Sequence, residues 1–421
     1  MLSARTSATR LDLAALAALD AADPLAPLRG AFHLPDDVVY LDGNSLGALP
    51  KRAEQIASRV LRQEWGDGLV RSWNDAGWHR LPWRLGAKIA RLVGAGEDEV
   101  IVTDSTSANL YKVLQAALSL RPGRRSIVSE RENFPTDLYI AEGAARVRGE
   151  RHRLRLVDSP AHIEGAIDED CAVLLLTHVN YRDGNMLDMA ALTERAHRKG
   201  ALVAWDLSHS AGAVPVELVA CEADFAVGCC YKYLNGGPVA PAFVFAARRL
   251  QERSEQPLSG WWGHATPFDF SPTFRAADGI ARFLCGTPPV LSMAVAEAGI
   301  DLVLEATIPR LRAKSIQLTE LFIELLAQEC AGLGLEPVGP RDPQRRGSQV
   351  SVRHPGGYAI MRALIDRGVI GDYREPGILR FGFAPLYSRY IDAWNAVAVL
   401  KDVLLTRAWE QPHYRERHAV T

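Results

Sequence analysis

The sequence predicts an α/β fold, with three layers built around a mainly parallel sheet and a smaller α+β domain after it. From about Val38 to Ala247, short apolar runs alternate with segments of helical period, the pattern of a sheet covered by helices. Beyond Pro288-Pro289 that alternation gives way to long amphipathic helices with a few strands between them. A hydrophobic content of 48% over 421 residues is enough for a large buried core.

The elements follow in order. The opening "MLSARTSATR" lacks the apolar core of a secretory signal, and the acidic "LDLAALAALDAADPL" behind it reads as a first helix. Residues 1–45 are therefore expected to form a tail and a helix that packs with the smaller domain. The runs "VVYLD", "EVIVTD", "SIVSE", "CAVLLLTHV", "ALVAWDLS", "FAVGCCYKYL" and "PAFVFAA" are expected strands, separated by helices such as "RAEQIASRVLRQEW" and "MAALTERAHRKG". Unbroken Val, Leu and Ala in "CAVLLLTHV" suits a strand buried on both faces. Together residues 46–290 make the large domain. Residues 291–421 make the small one, with helices at about Leu291 to Glu305 and Pro309 to Cys330, then "SQVSVRH", a helix, "ILRFGF" and a last helix. "GPRDPQRRG" between them is an exposed loop.

Charge and cysteine usage exclude several classes. With 48 basic against 50 acidic residues, the chain has no field to favour nucleic acid or an anionic membrane, so the expected partners are a small molecule or a second copy. No apolar run approaches the roughly 20 residues of a membrane span. Cys171, Cys221, Cys229, Cys230, Cys285 and Cys330 show no C-x-x-C spacing, and eleven scattered histidines show no H-E-x-x-H. Reduced cysteines, no resident metal and a cytoplasmic location are the expectation.

Ligands of such a sheet collect beyond the carboxyl ends of its strands, so polar residues just after the runs carry most weight. The G-x-S-x-G at Gly43 to Gly47 would make Ser45 a nucleophile, but an elbow needs a helix to begin at once, and Ala48-Leu49-Pro50 intervene. Pro50 suits the first position of the next helix, and the glycines read as a tight loop. "VGAGEDE" has a G-x-G ahead of a strand instead of after one, which is no dinucleotide fingerprint. In "TDSTSANLYKVLQAAL" a strand ends in a hydroxyl-rich turn that opens a helix, so Ser105, Thr106 and Ser107 either cap that helix or seat a phosphate. Asp206 follows the buried run "ALVAWD", with His209 three residues on, and either caps a turn or meets a cation. Lys232 sits inside "FAVGCCYKYL", where a desolvated lysine gives up its proton readily; the alternative is an edge lysine reaching solvent. An anion seat, a carboxylate and a lysine after successive strands meet the three needs of pyridoxal phosphate.

On "YLDGNSLG", "TDSTSANLYK", "ENFPTDLY", "WDLSHSAGA", "CCYKYLNGGP", "GWWGH", "GTPPVL" and "LRFGFAPLY", the chain resembles the kynureninase family, fold-type I pyridoxal 5'-phosphate enzymes related to class V aminotransferases. The resemblance implies an aspartate-aminotransferase-like large domain and a homodimer with shared sites. It makes Lys232 the lysine that carries the cofactor and shuttles protons, with Asp206 on the pyridine nitrogen and His209 beside it. Thr106 and Ser107, helped by Tyr231, would seat the phosphate. Phe134 would stack on the ring with Asp137 nearby, and Thr177 would lie beneath. Trp261 and Thr287 would reach the phosphate region from the partner subunit. Arg380 would grip the substrate carboxylate, with Asn44 and Ser45 in the facing loop. The implied reaction is hydrolysis of L-kynurenine to anthranilate and L-alanine, in tryptophan catabolism and the supply of NAD, with Tyr231 as the late acid/base. Thr287, where vertebrate enzymes carry asparagine, implies a preference for kynurenine over 3-hydroxykynurenine.

Competing readings are a cysteine desulfurase or epimerase on the same scaffold, a hydrolase built on Ser45, and a non-catalytic relative. A desulfurase needs a reactive thiol on a mobile loop, whereas Cys229 and Cys230 lie in an apolar run. The Asn-Gly-Gly-Pro after Lys232 reads as a turn that lets backbone pass close to the cofactor.

Overall fold

The computed structural model describes residues 13–238 and 240–418. Residues 1–12, the expected tail, lie outside them. The main sheet holds β1 (Val100–Thr103), β2 (Ser126–Glu130), β3 (Arg153–Val157), β4 (Cys171–Thr177), β5 (Leu202–Asp206), β6 (Phe225–Cys229) and β7 (Ala242–Ala246). Their spatial order is β1-β7-β6-β5-β4-β2-β3. β7 runs antiparallel to both β1 and β6, and the other pairings are parallel. β4 to β7 are buried along their whole length, which is why they read as unbroken apolar runs. β3 lies at the edge and is half-exposed, with arginines alternating with leucines; it escaped the search for continuous runs for that reason.

Eight helices matter for the site: α1 (Leu13–Ala21), α2 (Lys51–Arg59), α3 (Leu81–Leu92), α4 (Thr106–Ser119), α5 (Pro135–Val147), α6 (Val290–Ala306), α7 (Ile308–Glu329) and α8 (Tyr390–Leu405). α4 buries Leu110, Val113, Leu114 and Ala117 completely, a wide apolar face at i, i+3, i+4 and i+7 that packs on one side of the sheet. The opposite side is covered by α3 and α6, whose Leu85, Ile89, Met293, Ile300 and Val303 join a second core with Trp205 and Phe243. A third core lies under the small antiparallel sheet of β8 (Glu336–Val338), β9 (Gln349–Arg353), β10 (Asp372–Arg374) and β11 (Ile378–Gly382), in the order β8-β9-β11-β10.

Three local expectations change. α6 packs on α2 and α3, so the helix foreseen in the small domain belongs to the large-sheet core. The chain then breaks at Thr307, a β-branched residue with φ of 65°, before α7 enters the small core through Leu318, Phe322 and Leu325. We propose Thr307 as the division between the two units. Second, only Val39 and Tyr40 of "VVYLD" form a strand, and they pair in parallel with Val369 and Ile370 instead of joining the main sheet. Third, Pro50 precedes α2 as its cap residue, with an extended ψ of 130°.

The first helix serves the small unit. Leu16 is buried in that core, and the Asp20 carboxylate accepts hydrogen bonds from Tyr390 N (2.7 Å) and Ile391 N (3.1 Å) at the start of α8. Across the seam, Tyr233 Oη donates to Ser348 O (3.1 Å), Gln349 Nε2 to Tyr181 O (3.1 Å) and Ser351 Oγ to Arg182 O (2.8 Å). Those bonds tie the small sheet to the loops that follow β4 and β6.

Candidate active site

The sheet register brings the chemistry to one edge. Thr177 ends β4 opposite Asp206 at the end of β5, and Asp206 lies opposite Val227 of β6. Continuing past β6, the chain turns over Tyr231 and Lys232. A cavity of about 220 Å³ opens there, lined by Thr106, Ser107, Phe134, Thr136, Asp137, Thr177, Tyr181, Asp206, Ser208, His209, Tyr231 and Lys232. Lys232 is therefore three residues beyond its strand and half-buried at a cavity wall, not inside the buried run.

Asp206 is buried, and its Oδ1 accepts from Ser208 N (2.8 Å) and Ser208 Oγ (2.6 Å). Burial, and next the charge of Asp206 beside it, push the Asp137 carboxyl well above the usual carboxylate range, so Asp137 holds a proton against its neighbour. Lys232 Nζ stands 2.9 Å from His209 Nε2. Burial, reinforced by the Lys232 charge, lowers His209 well below the ordinary imidazole value and keeps the ring neutral. Its Nδ1 and the Ser210 hydroxyl are buried without a protein partner. Phe134 caps α5 from a half-open position, its ring edge-on to Tyr181 at 5.2 Å and its centroid 5.9 Å from Lys232 Nζ. Thr177 Oγ1 donates to Asn133 Oδ1. Burial raises the Tyr231 phenol, which stays protonated at neutral pH.

A second cavity of about 710 Å³ adjoins the first through Thr106, Ser107 and Tyr231, and is bordered also by Asp104, Ser105, Pro238, Thr287 and Ser292. The Ser105 hydroxyl accepts from Ala108 N (3.3 Å), so the serine caps α4 and leaves Thr106 and Ser107 at its first turn, where backbone N–H groups and the helix dipole favour an anion. Thr287 borders this chain's own cavity, and Trp261 borders neither.

These residues fit pyridoxal phosphate. A protonated ring nitrogen matches the buried Asp206 and Asp137 carboxyls, the Lys232 amine can link to an aldehyde, and the helix start accepts a phosphate. A Cβ on Gly236 would meet Cys230 O at 2.7 Å and the Ala296 Cβ at 3.0 Å, so that glycine lets α6 approach, while Pro238 faces the cavity.

At the seam, Arg380 is buried with its fork already engaged. Nε donates to Asp372 Oδ1 (2.5 Å), Nη2 to Asp372 Oδ2 and to Ser45 Oγ (3.2 Å), and Nη1 to Tyr181 O. Burial alone would raise Asp372, but the Arg380 hydrogen bonds and charge outweigh it and hold the carboxyl low. Asp42, close by, is pushed up to about 7 by burial and by the Asp372 charge. Ser45 Oγ donates to Asp372 Oδ2 (2.7 Å), and Asn44 Nδ2 donates to Gln349 Oε1 (3.3 Å). Side-chain partners of Ser45 are Asp372 and Arg380.

Sequence reasoning missed Ser208, Tyr181 and Asp372. The last was legible: Asp372 and Arg380 lie four residues either side of Pro376 in "DYREPGILR", which pairs them across a hairpin, as the register shows.

Residues 311–400 match a family model described as the kynureninase C-terminal domain, and residues 83–223 match one for the DegT/DnrJ/EryC1/StrS aminotransferase family. Proteins named kynureninase from Burkholderia mallei (strain SAVP1) and Pseudomonas fluorescens are each 55% identical over 408 residues, which is 96% of this chain and 98% of theirs. Among solved structures, an apo cysteine desulfurase from Thermococcus onnurineus NA1 aligns with a TM-score of 0.76 at 18% identity, covering 90% of this chain and 98% of its own. A C-DES mutant with glycine covalently linked to its PLP cofactor aligns at 0.78 with 18% identity, covering 89% and 99%. These two likenesses speak to the fold.

Proposed function

Because this chain belongs to the kynureninase family, we propose how its own residues divide the work of cleaving kynurenine. The enzyme uses pyridoxal phosphate to hydrolyse L-kynurenine to anthranilate and L-alanine, breaking the Cβ–Cγ bond. The observation that supports the residue assignment is one cavity holding the Lys232 amine with Asp206, Asp137 and His209, opening onto the hydroxyls of Thr106 and Ser107.

Bound pyridoxal phosphate supplies an electron sink conjugated to the substrate α-carbon. Lys232 Nζ would hold the cofactor through its aldehyde and, as a free amine, would take the α-proton of the substrate. Asp206 would hold a proton on the ring nitrogen, and Asp137 keeps its own proton beside it. His209, neutral, accepts from Lys232 through Nε2 and orients the amine. Thr106, Ser107 and Tyr231 would seat the phosphate, and Phe134 and Thr177, which line the same cavity, would lie against the ring. Water adds at the substrate γ-carbonyl, and the Tyr231 phenol, kept protonated by burial, donates a proton in that late stage. Arg380 binds the substrate carboxylate with the N–H that Asp372, Ser45 and Tyr181 leave over, beside Asn44. Thr287, which borders the larger cavity, favours kynurenine over 3-hydroxykynurenine.

Incubating the holoenzyme with each substrate tests these assignments. Kynurenine gives anthranilate and alanine with a higher kcat/KM than 3-hydroxykynurenine shows, and Arg380→Met raises KM by about 10²-fold, the cost of losing a buried charge-assisted hydrogen bond. Equal kcat/KM for both substrates would remove Thr287 from the selectivity role, and an unchanged KM would remove Arg380 from the site.

The three cysteines weighed for a desulfurase do not suit that reading. Burial raises Cys229, Cys230 and Cys330, the last to about 11, so none is a ready thiolate.

The assembly we propose is a homodimer. Trp261, Phe268 and Phe270 form an exposed ring cluster, with Phe270 76% exposed, and solvent is a poor neighbour for so much aromatic surface. Its covering by a second copy would bring Trp261 toward the partner's phosphate seat. Sedimentation is expected to give twice the 46.1 kDa chain mass and Phe270→Glu to halve it; a monomeric wild type overturns the proposal. Six free cysteines support a reducing, cytoplasmic location, which cell fractionation would test. Among the described residues, no helix is long and apolar enough to cross a membrane.

A further inference from the structure

We propose that Lys112 and Asp104 are a positioning pair that shapes and neutralises the phosphate seat, an inference that rests on reading Thr106 and Ser107 as that seat. Lys112 lies in the middle of α4, where an apolar residue would be expected, and its side chain is completely buried. Its Nζ donates to Asp104 Oδ2 and to Phe283 O (2.6 Å). Asn109, three residues earlier and so on the same helix face, is also fully buried, and its Nδ2 donates to Thr103 O (2.7 Å). The helix thus reaches back with two buried polar side chains to grip the turn that precedes its own first residue.

That turn needs gripping. Asp104 has φ of 44°, in the left-handed region that disfavours a side chain. It is held there by Lys112, by Thr103 Oγ1 (3.0 Å to Oδ2) and by Ala242 N, which donates to Asp104 O (2.8 Å). The conformation sets the direction in which Ser105, Thr106 and Ser107 leave β1. Through Phe283 O, the same ammonium also anchors the segment that runs on to Thr287, on the far wall of the cavity.

The charge matters as much as the shape. Asp104 is one-third exposed and lines the 710 Å³ cavity with Thr106 and Ser107. A bare carboxylate there would repel a phosphate dianion; paired with Lys112 it does not. Neutralisation and turn geometry therefore come from a residue that never faces the cofactor.

The test compares binding of pyridoxal phosphate and of pyridoxal, which lacks the phosphate, to apo-protein, read by absorbance alongside apo thermal stability. Wild type binds the phosphate ester more tightly. Lys112→Met, which leaves Asp104 unpaired, weakens pyridoxal phosphate about tenfold or more and pyridoxal less than about twofold. The double variant Lys112→Met/Asp104→Asn removes the stray charge and recovers most of the phosphate preference, and it carries the test alone if Lys112→Met does not fold. A Lys112→Met protein that keeps the wild-type ratio, or loses both affinities together, overturns the proposal, as does a folded double variant that stays as weak as Lys112→Met. A wild type that binds both aldehydes equally instead overturns the reading of the seat itself.

Discussion

Lys232→Ala abolishes turnover and, with pyridoxal phosphate present, the protein-linked visible absorption band. Lys232 is the one lysine among the residues lining the 220 Å³ cavity, and its Nζ is placed by His209 Nε2 at 2.9 Å. Alanine keeps the turn but leaves no amine to condense with an aldehyde and none to take the α-proton, so binding and chemistry fail for separate reasons. The other deeply buried lysine near the site, Lys112, is committed to Asp104 and Phe283 O and cannot substitute. Absorbance of the purified variant after gel filtration is the direct measurement. A persistent band would mean that a different lysine carries the cofactor.

Asp206→Asn costs about 10² to 10³-fold in kcat, the scale of removing one preorganised electrostatic contact from a water-poor site. Asparagine preserves the shape and can still accept from Ser208, so folding and the Lys232 linkage survive while the negative charge is lost. A second effect separates this charge role from a packing role. Asp137 is held protonated by burial and by the charge of Asp206, so removing that charge lets Asp137 ionise at lower pH. The pH at which the bound cofactor's spectrum changes should therefore move in the variant. Activity within a few-fold of wild type, with an unmoved pH profile, would sink the assignment of Asp206 to the ring nitrogen.

How much of this was legible depended on sequence distance. Asp206 and Lys232 were readable because each follows a buried run, and a polar residue at the carboxyl end of a parallel strand has few structural reasons to be there. Ser105 to Ser107 were readable as a helix start, but whether they cap or bind is a tertiary question, and Ser105 does the capping while Thr106 and Ser107 face the cavity. The apolar pattern of α6 fixes that it is buried, not against what, and its packing with α2 and α3 favours the boundary proposed at Thr307. "VVYLD" failed similarly: two residues of β-branched and aromatic character pair with whichever edge is near, and here that edge is Val369 and Ile370. Partners such as Lys112 with Phe283, 171 residues apart, leave no local signal at all.

The Asp372–Arg380 pair sits on facing positions of a hairpin whose turn is Glu375 to Gly377. Side chains alternate faces along a strand, so lengthening or shortening that turn by one residue would send Arg380 to the opposite side of the small sheet. On the role proposed for Arg380, recognition of the substrate's acid group would depend on the length of that loop. The cofactor half of the site, carried by another sheet, would be left intact. An indel there is a route by which a chain of this architecture could exchange its substrate while keeping its chemistry.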